Sequence, residues 1–341
     1  MSQGARYRRP WGETHRMGGT FCQRGAALLM AMLTVALVAT LAAGALWQQW
    51  RSVEVEASER SRVQASWILG GALDWARLIL REDARSGGAD HLAEPWAVVL
   101  AESRLSAFLA ADRNNTDTGD DAFLSGQITD AQSRLNVMNL VVGGKVSEPD
   151  LQAFTRLFEL LGLEESELEL LAENLRLALE PETQNTADTV ALLPQRVEQL
   201  RWLGLTATSL QRLSAFVTVL PTRTPVNLNT ASREVLAASI PGADMAAATQ
   251  LIAARERRPF QSLAAANRVL VPATEPLDSA RFSVATRYFE VRGRLRLDNT
   301  VVEERSLVLR NGLEVTTLWR ERAALAPPTV TQAAQVLTIR P

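Results

Sequence analysis

Arg24-Gly25-AALLMAMLTVALVATLAAGAL, residues 24–46, is the stretch on which the fold turns. From Gly25 through Trp50 no side chain is ionisable. About 26 helical residues at 1.5 Å each reach roughly 39 Å, more than the ~30 Å hydrocarbon core of a bilayer. The stretch therefore reads as a membrane span rather than the buried helix of a soluble domain. Arg6, Arg8, Arg9, Arg16 and Arg24 precede it with Glu13 alone in opposition, whereas Glu54, Glu56 and Glu59 mix with Arg51, Arg60 and Arg62 after it. Positive charge stays inside, so the N-terminus is expected in the cytoplasm and everything beyond residue ~50 outside. A cleaved secretory signal is the competing reading, with Ala42-Ala43-Gly44 as its small-residue site. The apolar run, however, continues through Leu46 and Trp47.

The basic residue and glycine instead lie before the run, in Gln23-Arg24-Gly25-Ala26-Ala27-Leu28-Leu29. This junction resembles the class III leader of type IV pilins and pseudopilins. The resemblance implies that a prepilin peptidase cuts between Gly25 and Ala26, leaving Ala26 as a methylated N-terminus, with Met1 or Met17 as the start. Most members carry a glutamate at the fifth mature position, where Met30 stands here. A lone carboxylate is expensive in lipid. Its absence resembles the minor pseudopilin K of type II secretion systems, which caps the filament tip.

With 341 residues there is room for a membrane helix and two modest domains. The net charge of −2 advertises no strongly basic surface for nucleic acid. The single cysteine, Cys22, falls in the leader, so the mature chain is expected to hold no disulfide. His15 also falls in the leader and leaves only His91, which argues against a His-rich metal centre. A tethered periplasmic enzyme would need a nucleophile–base pair, and none stands out.

No proline interrupts residues 26–94. Trp67, Ile68, Ala72, Trp75, Leu78 and Ile79 recur at three-to-four spacing, predicting that the helix continues as a stalk packed through this stripe. Ser86-Gly87-Gly88 ends it. Asp90-His91-Leu92-Ala93-Glu94-Pro95-Trp96-Ala97 resembles the D-x-L-x-E-x-W-A stretch of pseudopilin K proteins. Two readings stand: a capped loop with Trp96 in the core, or Asp83, Asp90 and Glu94 as oxygen ligands of calcium. The Asp112–Asp121 loop, with Asp117 and Asp120, lacks the sixth-position glycine and closing glutamate of an EF-hand. Its density of Asn, Asp and Gly suits a solvated turn. Asp112, Asp117 and Asp120 are the second set that the resemblance offers to calcium. Asp130-Ala131-Gln132-Ser133-Arg134-Leu135-Asn136-Val137 resembles the family's D-x-Q-G-R-F-N-V-N stretch, with Ser133 for glycine.

From Ser147 to about Asn267 the pattern is helical. Ser147-Glu148-Pro149-Asp150 predicts a capping-box start, and Leu151, Phe154, Leu157, Phe158 and Leu161 line one face up to Gly162. Further helical segments are expected over Glu165–Glu180 and Val197–Leu203. Relatives carry a tryptophan- and aspartate-rich stretch where Leu177–Asp188 stands, which weakens the case for calcium. Pro225-Val226-Asn227-Leu228-Asn229-Thr230-Ala231 with Ile240-Pro241-Gly242 resembles a helix-hairpin-helix, in the V-N-L-N-T-A form shared with DNA-uptake receptors. Asn227, Asn229 and Thr230 are expected to bond local backbone and set up the following helix. The DNA-binding hairpin is P-G-x-G, and here Asp244 stands for its second glycine. A carboxylate there repels phosphate, so no nucleic acid is expected. A membrane-anchored DNA receptor is the alternative.

The remainder switches to period two. Phe289, Val291, Gly293, Leu295 and Leu297 alternate with Glu290, Arg292, Arg294 and Arg296. Asp298-Asn299 and Asn311-Gly312 mark turns, and Leu307, Leu309, Leu313, Val315, Thr317 and Trp319 fill two further strands.

These readings give an α+β, type IV pilin-like fold. Its expected parts are a leader (1–25), a membrane and stalk helix (26–85), the first part of an α/β domain (86–139), an inserted helical domain (140–280), an antiparallel sheet (281–321) and a tail (322–341). The resemblance implies a non-enzymatic tip subunit of the inner membrane with a periplasmic domain, acting in pseudopilus initiation and protein export. The implied partners are the other minor pseudopilins, the major pseudopilin, the prepilin peptidase and the inner-membrane secretion platform.

Overall fold

The computed structural model describes residues 22–105, 122–180, 192–270, 276–297 and 300–325, and its chain divides at Val63–Gln64 into two units. Helix α1 runs Cys22–Ser86. In the first unit it is long and apolar enough to cross a membrane, and its large apolar side chains from Leu28 to Trp50 are exposed all round. A span facing lipid has no reason to segregate polar from apolar faces. The Trp47 and Trp50 rings lie 5.9 Å apart just before Arg51, as amphipathic rings do at a membrane–water boundary.

In the second unit, α1 from Ala65 onward packs on a five-stranded antiparallel sheet of order β1-β2-β9-β10-β11. Its strands are β1 (Leu100–Arg104), β2 (Ala122–Asp130), β9 (Tyr288–Leu297), β10 (Thr300–Asn311) and β11 (Glu314–Leu325). The alternation read from the sequence holds: Phe289, Val291 and Leu295 of β9 face the helix. The helical stripe is turned from the one expected. Ala65, Leu69, Leu73, Ala76 and Leu80 are buried, whereas Trp67 is 79% exposed and Trp75 and Leu78 also face outward. Ile68, Ala72 and Ile79 flank the buried row. Close approach decides this. A Cβ at Gly293 would meet Leu69 Cδ2 at 3.2 Å, so the sheet takes the alanines and leucines of α1 and leaves the bulkier indoles outside.

The sheet hands the chain to the helical insert at Asp130 and takes it back at Tyr288, with Asp130 paired in register to Phe289. Short pairs thread the insert: β3 (Leu135–Asn136) with β6 (Val217–Thr218), β4 (Val141–Val142) with β5 (Lys145–Val146), and β7 (Val226–Asn227) with β8 (Phe282–Ser283). Its helices are α2 (Glu148–Leu161), α3 (Glu165–Leu179), α4 (Ala207–Leu213), α5 (Arg233–Ser239), α6 (Met245–Arg257) and α7 (Leu263–Asn267). Phe154, Phe158, Leu171, Leu236 and Leu251 join one apolar core separate from the cores under the sheet.

Gly162 closes α2 at φ 61° as expected. The capping box does not form, because the Ser147 hydroxyl donates to the Asp150 carboxylate at 2.6 Å and that same oxygen accepts from Arg223. Val197–Leu203 is a 3₁₀ helix ended by Gly204. Asn311 and Glu314 face each other across the expected tight turn. β11 runs to Leu325, into the stretch expected as tail, because Val301 of β10 still offers it a partner. The Asp112–Asp121 loop, Asp298-Asn299 and residues 181–188 lie outside the described residues.

Candidate functional site

The densest constellation sits where α1, the sheet and the insert meet. α1 ends at Ser86, and Gly87 and Gly88, at φ 65° and 115°, turn the chain back along the insert's return segment. Side chains rarely adopt those angles, so the glycines are what place Asp83 and Asp90 together. The Asp90 backbone then anchors itself, donating its N–H to Val284 O at 2.9 Å and accepting Asn227 Nδ2 at 3.2 Å.

Asp83, Asp90 and Glu94 converge, each with a carboxylate oxygen within 4.8 Å of the others, as the sequence suggested. Their hydrogen bonds show what holds them. Arg310, from the end of β10, donates Nη1 to Asp83 Oδ2 at 2.6 Å and Nη2 to Asp90 Oδ1. The same Nη2 also reaches Thr286 O at 3.0 Å. Asp90 Oδ2 accepts the Thr286 N–H at 2.7 Å. Glu94 Oε2 accepts the His91 N–H at 2.8 Å and Trp96 Nε1 at 2.7 Å. Trp96 is buried edge-on against Phe289 at 5.2 Å, so the capped-loop reading of this motif is realised in the geometry. Burial pushes the Asp83 and Glu94 carboxyls up from the usual range.

This set does not fit calcium. A calcium ion wants six to eight oxygen ligands. Here Asp83 Oδ2, both Asp90 oxygens and Glu94 Oε2 already accept N–H donors, and a guanidinium stands between two of the carboxylates. Asp112, Asp117 and Asp120 lie outside the described residues. Sequence reasoning missed Arg310 because it is one basic residue in an alternating strand, more than 200 positions from its partners.

Asn227, Asn229 and Thr230 come together too, and part of the expected local bonding forms, Asn227 Oδ1 accepting the Asn229 N–H at 3.0 Å, but the helix that follows is capped elsewhere. Ser232 caps α5, accepting the Val235 N–H at 3.3 Å. Asn227 Nδ2 and the Thr230 hydroxyl instead donate to Asp130 Oδ2 at 2.9 and 2.6 Å, and Gln132 N–H donates to Asp130 Oδ1 at 2.7 Å. Asn229 clasps Phe260 in both directions, Nδ2 to O and Oδ1 from N, each at 2.9 Å. The motif thus latches distant chain to the strand end. Asp130 is wholly enclosed with no cation beside it, and burial raises its carboxyl above the usual range despite these donors.

The hairpin forms at Pro241-Gly242, with Gly242 at φ 73°. Asp244 caps α6, its carboxylate accepting the Ala247 N–H at 2.8 Å. The amide end that would receive a phosphate in a DNA-binding hairpin is therefore occupied by the chain's own anion. Arg255 is turned inward onto Leu228 O at 2.7 Å rather than toward a ligand.

On the sheet's other face a second charge cluster surrounds Glu290, which is buried. Arg134, Arg292 and Arg305 reach it at 3.2, 3.3 and 3.2 Å. Burial alone would raise this carboxyl, but the three guanidinium groups together hold it below the usual range. Gly25 and Ala26 lie near the start of α1, and the Met30 side chain is exposed on it.

Two family models, both described as type II secretion system protein K, match residues 133–222 and 226–285. Both matches fall on the insert and its approaches. The type II secretion system protein K of Pseudomonas aeruginosa is 30% identical over 297 residues, covering 81% of this chain and 85% of the relative. That of Klebsiella pneumoniae is 29% identical over 320 residues, covering 85% and 93%. Among solved structures, a chain of the GspK–GspI–GspJ complex from the enterotoxigenic Escherichia coli type 2 secretion system aligns with a TM-score of 0.57 at 19% identity, covering 78% of this chain and 98% of that one.

Proposed function

The chain belongs to the type II secretion system protein K family, and on that premise we propose that it is the minor pseudopilin at the tip of the pseudopilus. In this reading α1 anchors the chain in the inner membrane with its N-terminus in the cytoplasm, and the second unit stands in the periplasm. Prepilin peptidase releases Ala26 as the mature, methylated N-terminus. The chain then joins the other minor pseudopilins, corresponding to the GspI and GspJ named with its structural neighbour, begins filament growth on the inner-membrane platform and supports export across the outer membrane.

Met30 carries the tip assignment. A subunit inside a shaft gains from an intramembrane carboxylate that meets a neighbour's terminal amine, whereas a subunit with nothing beyond it would hold that charge in lipid without a partner. Nothing among the described residues sets up a nucleophile and base, and the role needs none.

Purification of the full chain from native membranes, with mass spectrometry of the bound chains, tests the reading. Recovery of the other minor pseudopilins in fixed ratio, with an N-terminus at Ala26, is the expected result. Recovery with none of them, or an N-terminus at Met1 or near Gly44, overturns it.

A further inference from the structure

Three convergent carboxylates form an oxygen-rich set, yet two of them are arranged around a cation of the chain's own. Asp83 and Asp90 are almost completely enclosed, with side-chain exposures of 10% and 5%, and so is Arg310 at 10%. Enclosed carboxylates need a compensating charge, and the guanidinium provides it with fixed geometry. Its two terminal nitrogens are divided between the two acids, its backbone N–H bonds Arg287 O at 2.7 Å, and its plane lies 4.8 Å from the Phe289 ring centroid. Arg310 thereby ties three separate pieces: the end of α1, the loop that carries the D-x-L-x-E-x-W-A motif, and the segment by which the insert rejoins the sheet.

We propose that Arg310 is the permanent cation of this junction, standing where a divalent ion would otherwise sit, so that the Asp83–Asp90–Glu94 cluster is independent of calcium in this chain. The proposal has a consequence that a merely structural salt bridge would not have. Removing the guanidinium frees Asp83 Oδ2 and Asp90 Oδ1, which join Asp83 Oδ1 and Glu94 Oε1, two oxygens that have no donor in the hydrogen bonds described. Four carboxylate oxygens around a vacated volume form a partial cage suited to a hard cation. Arg310→Ala should therefore convert an ion-indifferent junction into a calcium-responsive one.

The test is thermal melting of the full chain in detergent, with chelator or with millimolar calcium chloride, and sodium chloride added to match ionic strength. Any rise of the wild-type melt with calcium should survive in Asp90→Asn. Arg310→Ala should melt roughly 6 °C or more lower in chelator and recover at least half of that loss in calcium. The double variant Asp83→Asn with Arg310→Ala should lose the recovery. Arg310→Lys, which supplies a single ammonium, should melt between wild type and Arg310→Ala and show no calcium response. It keeps the proposal testable if Arg310→Ala does not fold. A wild-type melt that rises with calcium and ceases to do so in Asp90→Asn overturns the proposal. So does an Arg310→Ala that melts as wild type, or one that is weakened yet indifferent to calcium.

Discussion

The two charge clusters on either face of the terminal sheet are mirror images in composition. On the helix side, Asp83 and Asp90 share Arg310, with the Glu94 carboxylate beside them. On the far side, three arginines share Glu290. The first has too little positive charge, and burial pushes Asp83 and Glu94 up. The second has an excess, and Glu290 is held down in spite of its burial. The surplus members also differ in freedom. Around Glu290, the Arg134, Arg292 and Arg305 side chains keep 24%, 48% and 30% exposure and can turn to water. Asp83 and Asp90 cannot. Burial, rather than the number of ion pairs, therefore decides which cluster carries the fold.

The largest expected effect follows. Arg310→Ala strands two enclosed carboxylates and should cost about 3–5 kcal/mol of unfolding free energy, as breaking a buried pair does. Glu290→Gln leaves arginines that can reorient, and should cost roughly 1–2 kcal/mol. Urea denaturation of both variants side by side measures the ratio. Equal losses would break the comparison.

The pH dependence sharpens it, because the two clusters pull in opposite directions. Burial holds the Glu94 pKa in the folded state above its ordinary value. Its contribution is thus fully present below that value and is lost as pH rises through the folded pKa. The surrounding guanidinium groups hold the Glu290 pKa in the folded state below its ordinary value, so its contribution is present above that value and is lost as pH falls through the folded pKa. Acidification from neutrality should therefore be partly self-compensating in the wild type. Glu94→Gln should make the acid-side loss steeper, and Glu290→Gln should make it shallower. Urea midpoints between pH 3 and 7 read both slopes, and parallel curves for the two variants would contradict the assignment.

The sequence-level reading had unequal reach across these regions. The membrane run, the α2 face, Gly162 and the Asn311-Gly312 turn depend on neighbours within a few residues, and local pattern carries such information. The carboxylate trio was legible because its members lie within twelve positions of one another. Arg310 was not, since only tertiary structure brings β10 to the end of α1. The stripe on α1 differs from the periodic pattern for a related reason: hydrophobic size points to the indoles, while the close approach at Gly293 selects the smaller side chains by fit. Asn227, Asn229 and Thr230 were recognised as polar organisers, but their partners Asp130 and Phe260 lie 31 or more positions away.

That correction gives a smaller, separable effect. Asn229→Ala removes two buried bonds and strands the N–H and O of Phe260, so roughly 2–3 kcal/mol should be lost. Ser232→Ala removes one cap bond, for about 1 kcal/mol. Were Asn229 the cap, the two substitutions would cost the same, and thermal melts of the pair distinguish the roles.

The smallest effect belongs to Asp244. Its carboxylate caps α6 through the Ala247 N–H, and glycine is tolerated at that position at a cost of only a few tenths of a kcal/mol relative to a capping side chain. Asp244→Gly also restores the P-G-x-G spelling and uncovers the helix end, so it is the change most favourable to phosphate. Duplex DNA binding by wild type and variant, followed by fluorescence anisotropy from 0.05 to 0.2 M salt, should still show no steep salt slope in either. Neutralising several phosphates requires several basic side chains on one face. Of the basic residues at the end of α6, Arg255 is turned inward onto Leu228 O, leaving Arg257 and Arg258 exposed. A hairpin with two exposed arginines lacks the charge to hold a duplex even when its amides are open. Tight binding by Asp244→Gly alone would mean that the cap, and not the charge, is what keeps this hairpin from DNA.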